Sequence, residues 1–178
     1  DQIRYADRVS LVLGVRRDRA RSETEGSEAQ TDEATTFRVG VIGEVGKGVS
    51  PYLSYSESFL PVAGVDFYGN ALVPVRGRQV AGGVKWAPAR GMLFTANAYR
   101  IIESNRPTND PEHVLFSTQT GEIRSRGFEL EGAYAVADDI TITASYSYNK
   151  AEVTESNFPN EIGKQLNLQE KTVKYYMT

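Results

Sequence analysis

Reading every second residue of GFELEGAYAVADDITITASYSYNK, residues 127–150, separates two faces. One carries Phe128, Leu130, Tyr134 and Val136 and, past an Asp-Asp turn, Ile140, Ile142, Ala144, Tyr146 and Tyr148. The other carries Glu129, Glu131, Thr141, Thr143, Ser145, Ser147 and Asn149. A period of two is the signature of a strand, because successive side chains leave a pleated backbone on opposite sides. The same alternation recurs upstream: Val9, Leu11, Leu13 and Val15 within 8–20, then Phe37, Val39 and Val41 within 36–45. It continues with Leu53, Tyr55 and Phe59 within 49–59, Val80, Val84 and Trp86 within 78–87, and MLFTANAYRII within 91–103. With the two arms of the 127–150 hairpin, the simplest parse is seven strands and an all-β, antiparallel chain.

The connections alternate as strictly as the side chains. EVGKG (44–48), APARG (87–91) and ADD (137–139) are tight, whereas 21–35, 60–77 and 104–116 are long and polar. In an up-and-down meander every second connection falls at the same end of the sheet, so one end is trimmed and the other elaborated. Outer-membrane β-barrels have this asymmetry, with short periplasmic turns and long extracellular loops. Their strands need about 9–11 residues to cross tilted, and each arm of the 127–150 hairpin reaches that, against about five or six for a soluble strand. A half-buried soluble sheet would also alternate. Two carboxylates facing away from a strand side that ends in tyrosines fit lipid outside and a wet lumen inside. An open sheet edge in lipid leaves backbone groups unpaired, so these strands are expected to be part of a larger barrel.

Composition narrows the chemistry. No apolar run reaches the about 18 residues of a membrane-spanning helix, and DQIRYADRVS lacks the features of a signal peptide, which reads as an internal piece of a longer protein. There is no cysteine and one histidine, His113, read as a solvated loop residue. The net charge of −3 without a basic stripe over the main body disfavours nucleic acid as its partner. VGKG at 45–48 lacks the Ser/Thr and the helix of a phosphate-binding loop, and Glu129 and Glu131 lack the opposed partner of an acid/base pair, so the chain reads as no enzyme.

GVSPYLSYSESFLPVAGVDFYGN, followed by PVRGRQVAGGVKW and FSTQTGEIRSRGFELEGAYAVADDITITASYSYNKAEVTESN, closely resembles the C-terminal half of the barrel in TonB-dependent ferric-siderophore receptors, over roughly residues 1–158. The resemblance implies a barrel of about 22 strands, filled by an N-terminal plug and set in the outer membrane. It also implies a ferric siderophore as transported ligand, no directly bound cofactor, and a TonB complex acting through the plug, which lies outside these residues. Residues 159–178 depart from it: Ile162, Leu166 and Val173 recur at helical spacing, broken at Asn167-Leu168. NEIGKQLNLQEKTVKYYMT resembles part of a LuxR-type helix-turn-helix, which implies that the segment around Thr172, Val173 and Lys174 would enter a major groove. A short helical tail foreign to the barrel is therefore expected, with few contacts to the strands. The competing functions are a DNA-binding regulator fragment acting through that tail and a soluble β-rich binding module. Lys164, Lys171 and Lys174 offer only a few phosphate contacts, which disfavours DNA binding by this chain.

Three further stretches carry candidate contacts. Phe67 and Tyr68 in VDFYGN could stack on a siderophore scaffold or pack against neighbouring loops. Arg124 and Arg126 share the parity of Phe128, which would place them on the outer face above the lipid band, in reach of lipopolysaccharide phosphates. A bulge after Gly121 or at Gly127 would instead turn them into the lumen. RSETEGSEAQTDEA, with five acids and one arginine, reads as a solvated loop or as a bridge for divalent cations at the cell surface.

Overall fold

The computed structural model describes residues 1–6, 8–23, 29–137, 139–166 and 171–177; of Lys171 and of 175–177 it describes the backbone. The tip of the acidic loop and the Asn167-Leu168 break lie outside the described residues. Nine strands form one sheet, each hydrogen-bonded to the next in chain order, all antiparallel. They are β1 (Gln2–Tyr5), β2 (Val9–Ser22), β3 (Gln30–Gly43), β4 (Val49–Leu60), β5 (Val75–Trp86), β6 (Met92–Asn109), β7 (Ser117–Ala137), β8 (Ile140–Glu155) and β9 (Lys171–Met177).

Register carries the alternation from strand to strand. Phe128 pairs with Ala98 and Tyr148, Leu130 with Ala96 and Tyr146, and Gly82 with Leu53 and Ala98. The apolar side of each strand therefore joins its neighbours in one face running from Leu11 and Leu13 through Val39, Leu53, Val80 and Phe94 to Ile142. On the opposite face Glu129 pairs with Asn97 and Ser147, and Ser56 with Arg38 and Gln79. The expected separation of Phe128, Leu130 and Ile142 from Glu129, Thr141 and Thr143 holds residue by residue.

No second layer covers either face among the described residues. Among the described residues only Ala34, Leu72, Ile123 and Ala151 are buried hydrophobics, while Leu53 (57% exposed) and Leu130 (47%) stand open on the apolar face. An apolar face of this extent is stable only against another apolar medium, and for a meander of such strands that medium is lipid. From Phe128 to Val136 the apolar side of β7 covers nine residues, about the length that crosses a hydrocarbon core. β7 has 21 residues and β6 has 18, so both rise well beyond that band at the long-loop end.

Two kinds of glycine contact let the strands approach. The turn at 44–48 holds Gly46, Lys47 and Gly48 at positive φ, and the Ala87 N–H of the next turn donates to the Gly48 carbonyl at 2.8 Å. A Cβ at Gly48 would run into the Ala87 carbonyl, so the residue is tied to glycine twice over. On the polar face the Tyr99 ring lies over Gly127, its cross-strand partner, with the hydroxyl 2.7 Å from where a Cβ would stand. The bare backbone of Gly127 is thereby covered by an aromatic side chain.

Three expectations need correction. The strands number nine and outrun their expected ends: the connections are 23–29, 61–74 and 110–116, shorter than the expected 21–35, 60–77 and 104–116. Beyond the lipid band both faces meet water, so pairing continues where the alternation that marked it has stopped. Among the described residues the tail is not helical: beyond a single 3₁₀ turn at Pro159–Glu161, it returns along β8, with the Leu166 N–H donating to the Ala151 carbonyl at 3.0 Å, and pairs through β9 with Ile142–Tyr148. Ile162 and Leu166 mimicked a helical period, but β8 offers a ladder of donors and acceptors, and Thr172, Val173 and two tyrosines suit a strand. Few contacts with the barrel strands were expected of this segment, and it makes a full ladder with one.

Placing a charge on the lipid side tests the assignment of faces. In the full-length receptor Ile142→Arg should cost about 2–4 kcal/mol near the midplane, whereas Thr143→Arg on the polar face should cost far less. Unfolding by urea from lipid vesicles measures both, and equal costs would contradict the assignment.

Candidate ligand-contacting site

The elaborated end of the sheet is where separate parts of the chain converge. Loop 61–74 is fastened to strands on both sides of its own hairpin. Gln30 of β3 donates from its side-chain amide to the carbonyls of Leu72 (2.7 Å) and Val62 (3.3 Å). Gln119 of β7 accepts the Val73 N–H at 2.6 Å and donates to the Asn105 carbonyl at 2.8 Å. Asn105 sits at the β6 bulge between Glu103 and Arg106 with φ of 61° and donates to the Pro74 carbonyl at 3.2 Å. The bulge bends the strand and aims this side chain at the loop.

Two aspartates shape the loop tips. Asp66 accepts the N–H groups of Tyr68 (2.9 Å) and Asn70 (2.8 Å) and the Asn70 side-chain amide (2.9 Å). Asp110 accepts the N–H of Glu112 (2.8 Å) and of His113 (3.1 Å), and its other oxygen lies 3.2 Å from His113 Nδ1. An aspartate bonding to the backbone two or three residues on closes a tight turn. The Asn70 side-chain amide, with the Asn70 and Tyr68 N–H groups behind it, holds the Asp66 carboxyl below the usual carboxylate range. The Glu112 N–H, then the His113 ring and N–H, do the same for Asp110.

Four rings from the two loops meet above these turns. Phe67 stacks on His113 with centroids 3.4 Å apart and planes 11° from parallel. Phe116 and Tyr68 both stand edge-on to Phe67, at 5.3 and 5.4 Å. Tyr68 is 75% exposed, and beyond it Val114 (81%) and Leu115 (92%) project from the tip of loop 110–116. The two readings of VDFYGN are thus distributed between its aromatics: Phe67 packs against the neighbouring loop, and Tyr68 is left open. Sequence reading missed His113 and Phe116 as their companions. The spacings Asp66-to-Asn70 and Asp110-to-His113 announce turns, but nothing in them brings together loops 46 residues apart.

The arginines lie outside this cluster, on the apolar side of the sheet. The β7 bulge does fall after Gly121, between Glu122 and Ile123, but it precedes both arginines and leaves an unbroken ladder with β8 from Ile123 to Ala135, so it does not turn them into the lumen. Arg126 pairs with Arg100 and Lys150, and Arg124 with Ile102 and Glu152, on the parity of Phe128. Arg124 leans toward Glu122 (3.9 Å), while Arg126 is 59% exposed with Glu152 4.0 Å away. Arg100, Arg126 and Lys150 thus form a cross-strand row of cations directly above the apolar band. A hollow of about 640 Å³ lies where the β3–β4 ladder ends at Arg38 and Ser56, and opens among Arg16, Arg38 and Ser54 of the polar face. A second hollow, between Trp86, Phe94, Leu130 and Tyr146, belongs to the lipid side.

A family model described as "TonB dependent receptor-like, beta-barrel" matches residues 1–176. The chain belongs to that family. The match runs through β9, and nothing supports the resemblance of the tail to a helix-turn-helix. A ferrichrome outer membrane transporter/phage receptor of Escherichia coli is 37% identical over 177 residues, covering 93% of this chain and 24% of that protein. The ferrioxamine B receptor of Salmonella typhimurium is 34% identical over 170 residues, covering 92% and 24%. This TonB-dependent receptor chain therefore spans about a quarter of the length of the curated relatives it matches. Among solved structures, the outer-membrane ferripyoverdine receptor of Pseudomonas aeruginosa shares the fold at TM-score 0.83 and 18% identity, covering 99% of this chain and 24% of that one. The family places the sheet in the wall of an outer-membrane barrel, its apolar face toward lipid.

The two lowered aspartates set a pH dependence with a defined sign. A carboxyl whose folded pKa lies below its unfolded value contributes order that is complete above the unfolded pKa and is lost as pH falls through the folded one. The amides of Tyr68, Asn70, Glu112 and His113 should stay protected through the ordinary carboxylate range and exchange freely only below it. Hydrogen exchange across pH 3–6 measures this, with Asp66→Asn and Asp110→Asn as controls; equal protection in the controls would contradict it.

Proposed function

We propose that this chain is part of the wall and mouth of an outer-membrane receptor that takes up ferric siderophores in a TonB-dependent manner. The observation that carries the reading is the ring cluster of loops 61–74 and 110–116, assembled at the elaborated end of a sheet whose other faces are committed to lipid and lumen. Tyr68, open above the stacked Phe67, offers an aromatic face and a hydroxyl to a chelate arriving from outside. Binding sites concentrate on loops held by a rigid scaffold, and Gln30, Asn105 and Gln119 supply that rigidity here. The TonB dependence of the family extends to the whole protein through a plug in the lumen, against the polar face. A DNA-binding role finds no support, since the segment that suggested it pairs in the sheet.

Replacing Tyr68 with alanine in the full-length receptor should weaken binding by up to about tenfold, the scale of one lost aromatic contact. Ferrichrome, ferrioxamine B and a ferric catecholate, labelled with radioactive iron, serve as probes. Unchanged affinity for every chelate that the parent receptor binds would overturn this assignment.

The row Arg100, Arg126 and Lys150 supports a second contact, with lipopolysaccharide. Glu152 already pairs with Lys150 at 2.9 Å, which leaves Arg100 and Arg126 directly opposite one another, and a phosphate between these two would turn their repulsion into charge-assisted hydrogen bonds. Arg126 fits this role better than Arg124, which is held toward Glu122. Receptor purified with Arg100→Ser and Arg126→Ser should carry less than about half of the parent's tightly bound lipopolysaccharide, from a row of three cations reduced to one. Phosphate analysis of the purified protein checks it, and an unchanged content would exclude the row as the site.

A further inference from the structure

The single histidine carries an inference beyond ligand contact. We infer that His113 is a positioning residue that latches loop 61–74 to loop 110–116, so that the two loops present themselves to a ligand, and move, as one body. This rests on the reading of Tyr68 as a ligand contact only for its consequence in uptake; the latch itself rests on geometry.

The links are arranged in series. Asp110 fixes the His113 ring: its carboxylate lies 3.2 Å from Nδ1, which makes that nitrogen the protonated donor and leaves the ring plane free to face Phe67. Phe67 lies on that plane at 3.4 Å, close to face-to-face. Two phenyl rings avoid such an overlay because their quadrupoles repel, so a phenylalanine in place of His113 would not reproduce the contact. Phe116, brought round by the Phe116 N–H donating to the His113 carbonyl at 2.8 Å, stands edge-on to Phe67. Tyr68 leans on the same pair, at 5.4 Å from Phe67 and 6.1 Å from His113. The exposed ring is therefore positioned from the other loop.

Nothing else holds the tips together electrostatically. The charged residues of the two loops are Asp66, Asp110 and Glu112, all acidic. Asp110 bears on Asp66 in the direction of repulsion. The bases of the loops are tied independently, through Gln119 to Val73 and through the β6–β7 ladder. Without the stack the two tips would keep their own turns, each closed by its own aspartate, and lose their fixed relation.

Spin labels on Ala71→Cys and Glu112→Cys, in the full-length receptor in lipid vesicles, report the separation of the tips by pulsed dipolar spectroscopy. Neither side chain takes part in the latch. The expected result is one narrow distance distribution that at least doubles in width with His113→Ala, broadens equally with Phe67→Ala, and stays broad with His113→Phe. Equal broadening by Phe67→Ala separates a latch from a residue that merely shapes its own loop. An unchanged width in His113→Ala or in Phe67→Ala overturns the proposal. Siderophore affinity measured on the same variants separates the two readings. Broadening with undiminished affinity leaves the latch standing and removes the ligand role of Tyr68; lost affinity with an unchanged width removes the latch and leaves Tyr68 as a contact.

Discussion

The structure depends on one constraint: backbone N–H and C=O groups that enter hydrocarbon must be paired within the sheet. An antiparallel ladder in chain order meets it with the fewest connections, and its register then aligns the outward side chains of the lipid band with apolar neighbours. The Leu53, Gly82 and Ala98 series and the Leu130 and Tyr146 pair are consequences of that register. A slip by one residue anywhere would put glutamates such as Glu129 and Glu131 into lipid. Only four hydrophobic residues are buried among those described, so the usual core is replaced by the surrounding membrane as the solvent of the apolar face.

The loops inherit their arrangement from the same ladder. Because β6 and β7 outrun the lipid band, their upper halves can carry irregularities that a strand in hydrocarbon could not. The β6 bulge releases Asn105 to reach Pro74, and the register shift that follows lets Gln119 turn to Val73. These polar ties organise a long connection without a hydrophobic core beneath it. Leu72 is the one buried apolar residue the loop contributes, and the rings of Phe67, His113 and Phe116 supply the remaining cohesion.

The belt above the lipid band shows how ladder and charge combine. The alternation that keeps Phe128 and Tyr148 outward continues for one more step and delivers Arg126 and Lys150 to the same side. The repulsion within this row is offset in part by Glu152, which lies 2.9 Å from Lys150 and 4.0 Å from Arg126.

Alternation, turn lengths and strand lengths determined the all-β class, the separation of faces and the two unlike ends, because each depends on residues close together in the chain. Phe128 against Glu129 needed only the period of two. The tertiary structure decided what depends on partners. Thr172, Val173 and Lys174 read as part of a helix-turn-helix until β8 offered its edge, and nine strands replaced seven because the short β1 and the tail strand β9 each form by pairing with a neighbour. Arg126 points outward because the bulge falls at Ile123 and not at Gly127, a choice made by the strands on either side. His113 alone in the sequence is a polar loop residue; only the convergence of two loops 46 residues apart places it against Phe67.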